Sequence, residues 1–259
     1  MNLTEILESL KMGKISVSKA RKMLSLHSVE EIEDFAKIDV GRKLRRGIPE
    51  VVFAEKKSVV DLKKIIVVNI KKTGYVLLSR INKKDYDKII SFLKKKKLRI
   101  KTGKRSNSLL IYKKKLSCTG GEVGILTAGT SDIGVAEEAR LMCEAMNCSC
   151  ICSYDVGIAG LHRVFPALKK MIKDGVDAII VVAGMEGALP SIVSSLVDIP
   201  VIGVPTSVGY GYGNKGVAAL ATMLQSCSMG LSVVNIDNGI GAGAIAANIA
   251  NRTKRKTRY

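Results

Sequence analysis

The stretch AIIVVAGMEGALPSIVSSLVDIPVIGVP, residues 178–205, decides the fold. Ala178–Ala183 is an unbroken apolar run with no polar alternation, which predicts a strand buried on both faces. The turn Gly184-Met185-Glu186-Gly187 follows, then a helical segment at Leu189–Val197 and a second buried strand at Val201–Val204. Strand, crossover helix and strand make a βαβ unit, the building block of a parallel sheet.

The same alternation extends in both directions. Upstream, Val123–Ala128 leads into a helix over Asp132–Met146, and Ser149–Tyr154 into one starting near Arg163. Downstream, a helix over Lys215–Leu224 precedes a strand over Leu231–Asp237 and a last small-residue helix, Ala242–Ala250. Five near-continuous apolar strands, each followed by a helix, predict an α/β fold whose parallel sheet is covered on both faces. Ligands bind such sheets beyond the carboxyl ends of the strands. The uncommon residues gather there: Gly129-Thr130-Ser131-Asp132, Asp155 to Arg163, Gly184 to Gly187, Thr206 to Lys215, and Asp237-Asn238-Gly239.

Ahead of this half lies a different module. Residues 1–118 carry 31 Lys/Arg against 12 Asp/Glu, whereas residues 119–259 carry 11 of each, so the whole formal charge of +19 belongs to the front. Apolar spacing over residues 2–25 predicts two short helices broken near Gly13, and residues 29–37 read as a further helical piece. Asp39-x-x-Arg42-x-x-Arg45-Arg46-Gly47-x-Pro49-Glu50 then turns into a strand at Val51–Ala54, and residues 58–112 alternate as a small α/β module. The expected organisation is a basic N-terminal module over 1–118, a catalytic domain over 119–251 and a basic tail over 252–259. The charge suits a polyanion, either nucleic acid or a phosphorylated small molecule. Lys94–Lys97 and Lys113–Lys115, taken singly, read as solvated faces and linkers.

No apolar run reaches the roughly 18 residues of a membrane span, and Met1–Ser16 lacks a signal-peptide core, so the expected location is the cytoplasm with no membrane partner. Six cysteines are present, four of them within Cys143–Cys152 and none in a CxxC pair. Zinc is therefore a poor reading, and Cys148, Cys150 and Cys152 read as small hydrophobes along a strand.

Several loops carry candidate chemistry. Free N–H groups and hydroxyls at Gly129-Thr130-Ser131-Asp132 suit a phosphate, with helix capping by Ser131 or Asp132 as the structural alternative. The loop lacks the Gly-Lys-Ser/Thr of a P-loop. His162 beside Arg163 suits proton transfer or anion binding. Glu186 is a lone acid in a stretch that avoids charge, and Lys215 ends a glycine-rich loop as a phosphate or carboxylate partner. The glycines from Gly239 to Gly243 stand too near the chain end for a dinucleotide fingerprint, and read as close packing plus backbone approach to a ligand. Cys227 lies between helix and strand, and is read as a nucleophile with a phosphate-bearing substrate pocket around it.

Thr127-Ala128-Gly129-Thr130-Ser131-Asp132 with Ala136-Glu137-Glu138-Ala139, Gly160-Leu161-His162-Arg163, and Pro200-Val201-Ile202-Gly203-Val204-Pro205 resemble the aminoimidazole-ribotide carboxylase (PurE) family over roughly residues 120–250. Glu186 in its Gly-Met-Glu-Gly turn, Cys227 and Asn235-Ile236-Asp237-Asn238-Gly239 depart from PurE and are similar to LarB, the PurE-like enzyme of nickel-pincer nucleotide synthesis. The Asp39 to Val52 motif also resembles the leading domain of LarB.

The resemblance implies a PurE-like three-layer α/β/α catalytic domain, a homo-octamer, and a dinucleotide substrate with CO₂ or bicarbonate as co-substrate. Its activity would be carboxylation of the pyridinium ring of nicotinic acid adenine dinucleotide at C5, with phosphoanhydride hydrolysis releasing AMP and pyridinium-3,5-biscarboxylic acid mononucleotide. It implies Cys227 as nucleophile. Candidate proton-transfer groups are His162, Glu186 and Asp237, or these assist a Mg²⁺ ion; no organic cofactor is expected and the metal ligands are undetermined. Substrate contacts are expected from Gly129, Thr130, Ser131, Asp132, Arg163, Gly184, Lys215, Asn238 and Gly239, with Arg42, Arg45 and Arg46 reaching the dinucleotide phosphates. A helix C-terminus disfavours a thiolate, so activation of Cys227 is expected from His162, Lys215 or the pyridinium itself. The alternatives are a plain aminoimidazole ribonucleotide carboxylase or mutase, and a nucleic-acid-binding protein acting through the basic module. Sparse aromatics and the absence of an RNA or DNA motif weigh against the last.

Overall fold

The computed structural model describes residues 3–25, 29–32, 36–118 and 121–256. The chain forms two compact units, one of Met1–Ile100 with Leu110–Lys114, the other of Lys101–Leu109 with Lys115–Tyr259.

The first unit opens with α1 (Leu3–Lys11) and α2 (Val17–Leu24) on either side of Gly13, whose φ is 69°. The described residues within 29–37 depart from the helix expected there: β1 (Val29–Ile32) and β2 (Ala36–Asp39) pair antiparallel, with Val29 opposite Asp39. So short a segment is marginal as a helix whatever its glutamates prefer, and burying Ile32 and Ile38 decides the outcome. Then come α3 (Arg42–Arg46), β3 (Val51–Phe53), α4 (Val59–Thr73), β4 (Tyr75–Ser79), α5 (Lys83–Lys95), β5 (Arg99–Thr102) and β6 (Leu109–Tyr112). Ser58 Oγ accepts the Asp61 N–H at 3.1 Å to start α4, and Gly74 at φ 83° ends it. The strands form one sheet in the order β3-β4-β6-β5. Leu62, Ile66, Leu77, Leu78, Ile89 and Leu93 are sealed from solvent around it.

In the second unit the strands are β7 (Glu122–Thr127), β8 (Ser149–Ser153), β9 (Ala178–Ala183), β10 (Val201–Pro205) and β11 (Leu231–Val233). The helices are α6 (Ile133–Ala145), α7 (Val164–Asp174), α8 (Leu189–Leu196), α9 (Val217–Leu224) and α10 (Gly239–Lys256). All five strands are parallel, in the order β11-β10-β9-β7-β8, which is the flavodoxin-like order. Ile179, Val181 and Ala183 of β9 face a core shared with α7, α8 and α9, including Leu168, Met171, Val193 and Met223. On the other face α6 and α10 pack together against the sheet. The α/β/α layering expected from the five apolar runs is therefore the fold.

Two boundaries differ from expectation. β11 stops at Val233: Val234 N–H still reaches Gly203 O at 3.1 Å, but Asn235 turns the chain by accepting the Ile236 N–H on its side chain. The final helix begins at Gly239, and it continues past Arg252 to Lys256. At Gly239 a Cβ would stand 2.2 Å from Val135 O, so the missing side chain lets α10 press on the backbone of α6.

Candidate active site

β7 runs to β8 on one side, whereas β9, β10 and β11 follow on the other, so the topological switch point lies between β7 and β9. Loops leaving adjacent strands in opposite directions open a crevice at their carboxyl ends. Asp132 sits there with 3% of its surface exposed. Its Oδ2 accepts the Gly129 N–H at 2.8 Å and its Oδ1 accepts the Thr206 hydroxyl at 2.7 Å. The Gly184 N–H also bonds to it. One carboxylate thus ties together the loops after β7, β9 and β10. Burial raises its pKa, and the Asp237 carboxylate adds to this, while the hydrogen bonds pull the other way. Asp132 is among the expected substrate contacts; in the structure each of its oxygens already accepts a hydrogen bond from the protein, and this holds the Gly129–Asp132 loop in shape.

The neighbouring loops are fixed in the same manner. Met185 N–H bonds to Val208 O and Asp237 N–H to Pro205 O, both at 2.9 Å, and Asp237 Oδ1 accepts the Ser207 N–H at 2.9 Å. A Cβ on Gly184 would stand 2.3 Å from Val208 O, so only glycine permits this crossing of two loops. Asn238 Oδ1 accepts the Gly241 N–H at 2.9 Å and so caps α10; with Gly239 packed on α6, these two expected substrate contacts have structural partners. Four non-glycine residues on this edge hold a left-handed φ: Asp155 (59°), Met185 (49°), Lys215 (61°) and Asp237 (54°). Strained conformations persist where surrounding structure over-determines them, and they cluster at functional sites.

Thr130, Ser131, His162, Glu186 and Lys215 are all exposed on this edge. Arg163 is half-buried and its Nη1 pairs with Asp155 Oδ2 at 2.9 Å, so its charge is partly spoken for. Sequence reasoning missed two residues here. Thr206 is fully buried as the latch on Asp132, and its signal was its place directly after the β10 run. Arg105, exposed, donates from Nη1 to Thr130 O at 3.0 Å, which brings a guanidinium to the Gly129–Ser131 loop. It lies far from that loop in sequence, so nothing local pointed to it.

Cys227 is placed differently from the expected pocket. It is exposed in the connection between α9 and β11. That connection lies at the amino ends of the strands: Val201 N–H, at the start of β10, bonds to Gly230 O at 3.4 Å. The five residues of β10 put roughly 13 Å between the two edges, at about 3.3 Å per residue. Lys215 precedes α9 and Cys227 follows it, so eight helical residues, about 12 Å, separate them. Within one chain neither His162 nor Lys215 reaches Cys227, and the expected single pocket is not formed. A residue between a crossover helix and its next strand must lie on the amino edge, so the element order already contained this.

Arg42 and Arg45 are likewise committed: Arg45 pairs with Asp39 and Arg42 Nη1 lies 3.5 Å from Glu50 Oε2, both within the first unit. Arg46 is exposed. Among the described residues no group of three or more His, Cys, Asp or Glu gathers as a metal cage. Also among them, no helix is long and apolar enough to cross a membrane.

Comparison with known proteins accounts for both units. Residues 122–259 match the AIR carboxylase family model, and residues 29–108 match the LarB/PurE-like N-terminal domain model. An uncharacterized protein of Methanocaldococcus jannaschii is 49% identical over 253 residues, covering 96% of this chain and 97% of that one. The N5-carboxyaminoimidazole ribonucleotide mutase of Pyrococcus horikoshii is 32% identical over 132 residues, 49% of this chain and 71% of that enzyme. A probable mutase of the same kind from Methanothermobacter thermautotrophicus is 33% identical over 132 residues, 49% of this chain and 37% of that protein. A PurE-like sheet whose switch-point loops are locked by Asp132, preceded by a LarB-type leading domain, identifies the chain as a member of the LarB family of PurE-like carboxylases.

Proposed function

We propose that the protein carboxylates the pyridinium ring of nicotinic acid adenine dinucleotide at C5 and hydrolyses its phosphoanhydride, yielding AMP and pyridinium-3,5-biscarboxylic acid mononucleotide. The observation that carries this reading is an exposed cysteine, Cys227, in a PurE-like domain that follows a LarB-type leading domain. The chemistry gives sulfur a reason. A pyridinium is electron-poor, so its C5 cannot attack CO₂. Addition of the Cys227 thiolate at C4 moves an electron pair onto the ring nitrogen and leaves C5 enamine-like. C5 then forms the new bond to CO₂, its proton passes to a base, and expulsion of the thiolate restores the aromatic ring. This is covalent catalysis, which divides one prohibitive step into easier ones.

The base and the phosphate contacts belong to the carboxyl edge. His162, Glu186 and Asp237 are the candidates for proton transfer, and the exposed Thr130 and Ser131, with Arg105 alongside, suit a phosphate oxygen. Because Cys227 lies on the opposite edge, a complete site takes Cys227 from one copy of the chain and the carboxyl-edge loops from another. The surface near Cys227 supports such an assembly: α9 carries no charged residue, Leu224 at its end is 66% exposed, and Met229 is 94% exposed. A homo-octamer is the expected form.

Mass spectrometry after incubation with nicotinic acid adenine dinucleotide and bicarbonate tests the reading. AMP and a carboxylated mononucleotide should appear together, and neither should appear with Cys227→Ser. The second reading, an N5-carboxyaminoimidazole ribonucleotide mutase, draws on the similarity to those enzymes. It requires full mutase turnover in Cys227→Ser.

A further inference from the structure

The loop of residues 103–108, between β5 and β6, lies within the second unit. It nevertheless comes from the leading domain, whose family model runs to residue 108, while the AIR carboxylase model begins at residue 122. A piece of the leading domain is thus built into the catalytic unit, and it carries Arg105.

This loop is fixed on α6 without help from the Arg105 side chain. Lys104 N–H donates to Glu137 Oε2 at 2.8 Å, and Arg140 Nη2 donates to Thr102 O at 3.0 Å. The Ser108 hydroxyl, sealed from solvent, donates to Glu138 Oε1 at 2.9 Å. A Cβ on Gly134 would stand 2.7 Å from Arg105 O, so glycine there lets the loop backbone lie against the first turn of α6. Arg105 has a φ of 54°, a left-handed value that glycine or asparagine adopts at less cost. As an anchor, then, an arginine side chain is not needed at this position.

What the side chain does is bring charge to the crevice. Its Nη1 donates to Thr130 O at 3.0 Å, and the residue is exposed. Among the described residues no carboxylate pairs with it, whereas Arg140 and Arg163 are both committed to acids. A carbonyl orients a guanidinium without neutralising it, and the N–H groups left over form a planar fork that matches phosphoryl oxygens. Thr130 and Ser131 present exposed hydroxyls on the turn that Arg105 touches. Two sets of phosphate donors, from distant parts of the chain, therefore stand one hydrogen bond apart. Phosphoryl groups joined through a single oxygen are neighbours on the same scale.

We propose that Arg105 is a specificity-determining residue of this crevice: Thr130 and Ser131 take one phosphoryl group and Arg105 takes the next, so that the leading domain selects a diphosphate-bridged substrate over a monophosphate. The assignment deepens the dinucleotide reading above and rests on it for the identity of the substrate.

Titration calorimetry on the full chain with ADP and AMP, which share a nucleoside and differ by one phosphoryl group, tests this. Wild type should bind ADP at least about fivefold more tightly than AMP. Arg105→Gln should weaken ADP at least about fivefold while changing AMP by less than about twofold. Arg105→Lys, which keeps the charge and loses the fork, should fall between the two. Arg99→Gln removes an equally exposed charge and should change neither affinity by more than about twofold, which separates a contact from the general pull of a basic chain. Unfolding midpoints confirm that the variants are folded. No preference for ADP in wild type, an unchanged ADP affinity in Arg105→Gln, or an equal loss in Arg99→Gln would each overturn the proposal. A chain that binds ADP as expected but turns over no nicotinic acid adenine dinucleotide would count against the proposed carboxylation and leave the role of Arg105 standing.

Discussion

Thr206 Oγ1 donates to Asp132 Oδ1 at 2.7 Å, joining residues 74 positions apart at the carboxyl ends of β7 and β10. Asp132 accepts on both oxygens, so an amide there would turn one acceptor into a donor facing another donor. Asp132→Asn should therefore destabilise the protein by about 1–3 kcal/mol, and Thr206→Val by about 1 kcal/mol, read from urea unfolding. An unchanged midpoint in both would remove the latch from the account of the site.

Glu137 predicts how the second unit responds to acid. Burial pushes its pKa up, but hydrogen bonds from Arg140, Tyr154 and the Lys104 N–H together hold it below the ordinary 4.5. A group whose folded pKa is depressed stabilises fully above its unfolded pKa, and that contribution is lost as pH falls through the folded value. Glu137→Gln should lower stability near neutrality and flatten the loss of stability below about pH 4.5. A parallel offset across the whole acid limb would contradict this.

Thiol reactivity should separate the six cysteines into two classes. Cys118 and Cys227 are exposed, while Cys143 and Cys148 are buried and Cys150 and Cys152 line β8. Burial pushes the Cys148 thiol up to about 12 and the Cys152 thiol up to about 11, so both stay protonated at neutral pH. Peptide mapping after brief alkylation of the native protein should find Cys118 and Cys227 modified, with the other four labelled only after denaturation. Early labelling of the buried Cys143 or Cys148 would show that this part of the unit opens.

Complementation tests the division of the site between copies. Cys227→Ala and Asp237→Asn should each be inactive alone. Mixed assemblies made by co-expression should recover roughly a quarter of wild-type turnover, because random pairing unites an intact Cys227 with an intact Asp237 that often. Recovery of nothing would mean that each chain completes its own site.

The five apolar runs made the parallel sheet legible, because a strand buried on both faces needs no partner to be recognised. The loops at its carboxyl edge followed from that alone. Residues 29–37 misled because glutamates favour a helix locally, while Ile32 and Ile38 gain more by burial as a strand pair. The latch on Asp132 was not legible because only the fold brings Thr206 and Gly184 to it. Arg105 was invisible for the same reason: its partner, the Thr130 carbonyl, lies 25 residues on.

Cys227 stands at one edge of β10 and Asp237 at the other, and this separation bears on how the protein would behave in a cell. A catalyst whose nucleophile and base come from different chains has no activity as a single folded chain. Its specific activity would fall on dilution while its circular dichroism stayed constant. Abundance would then act as a control: halving the number of chains would remove more than half of the turnover near the dissociation point, with no inhibitor present.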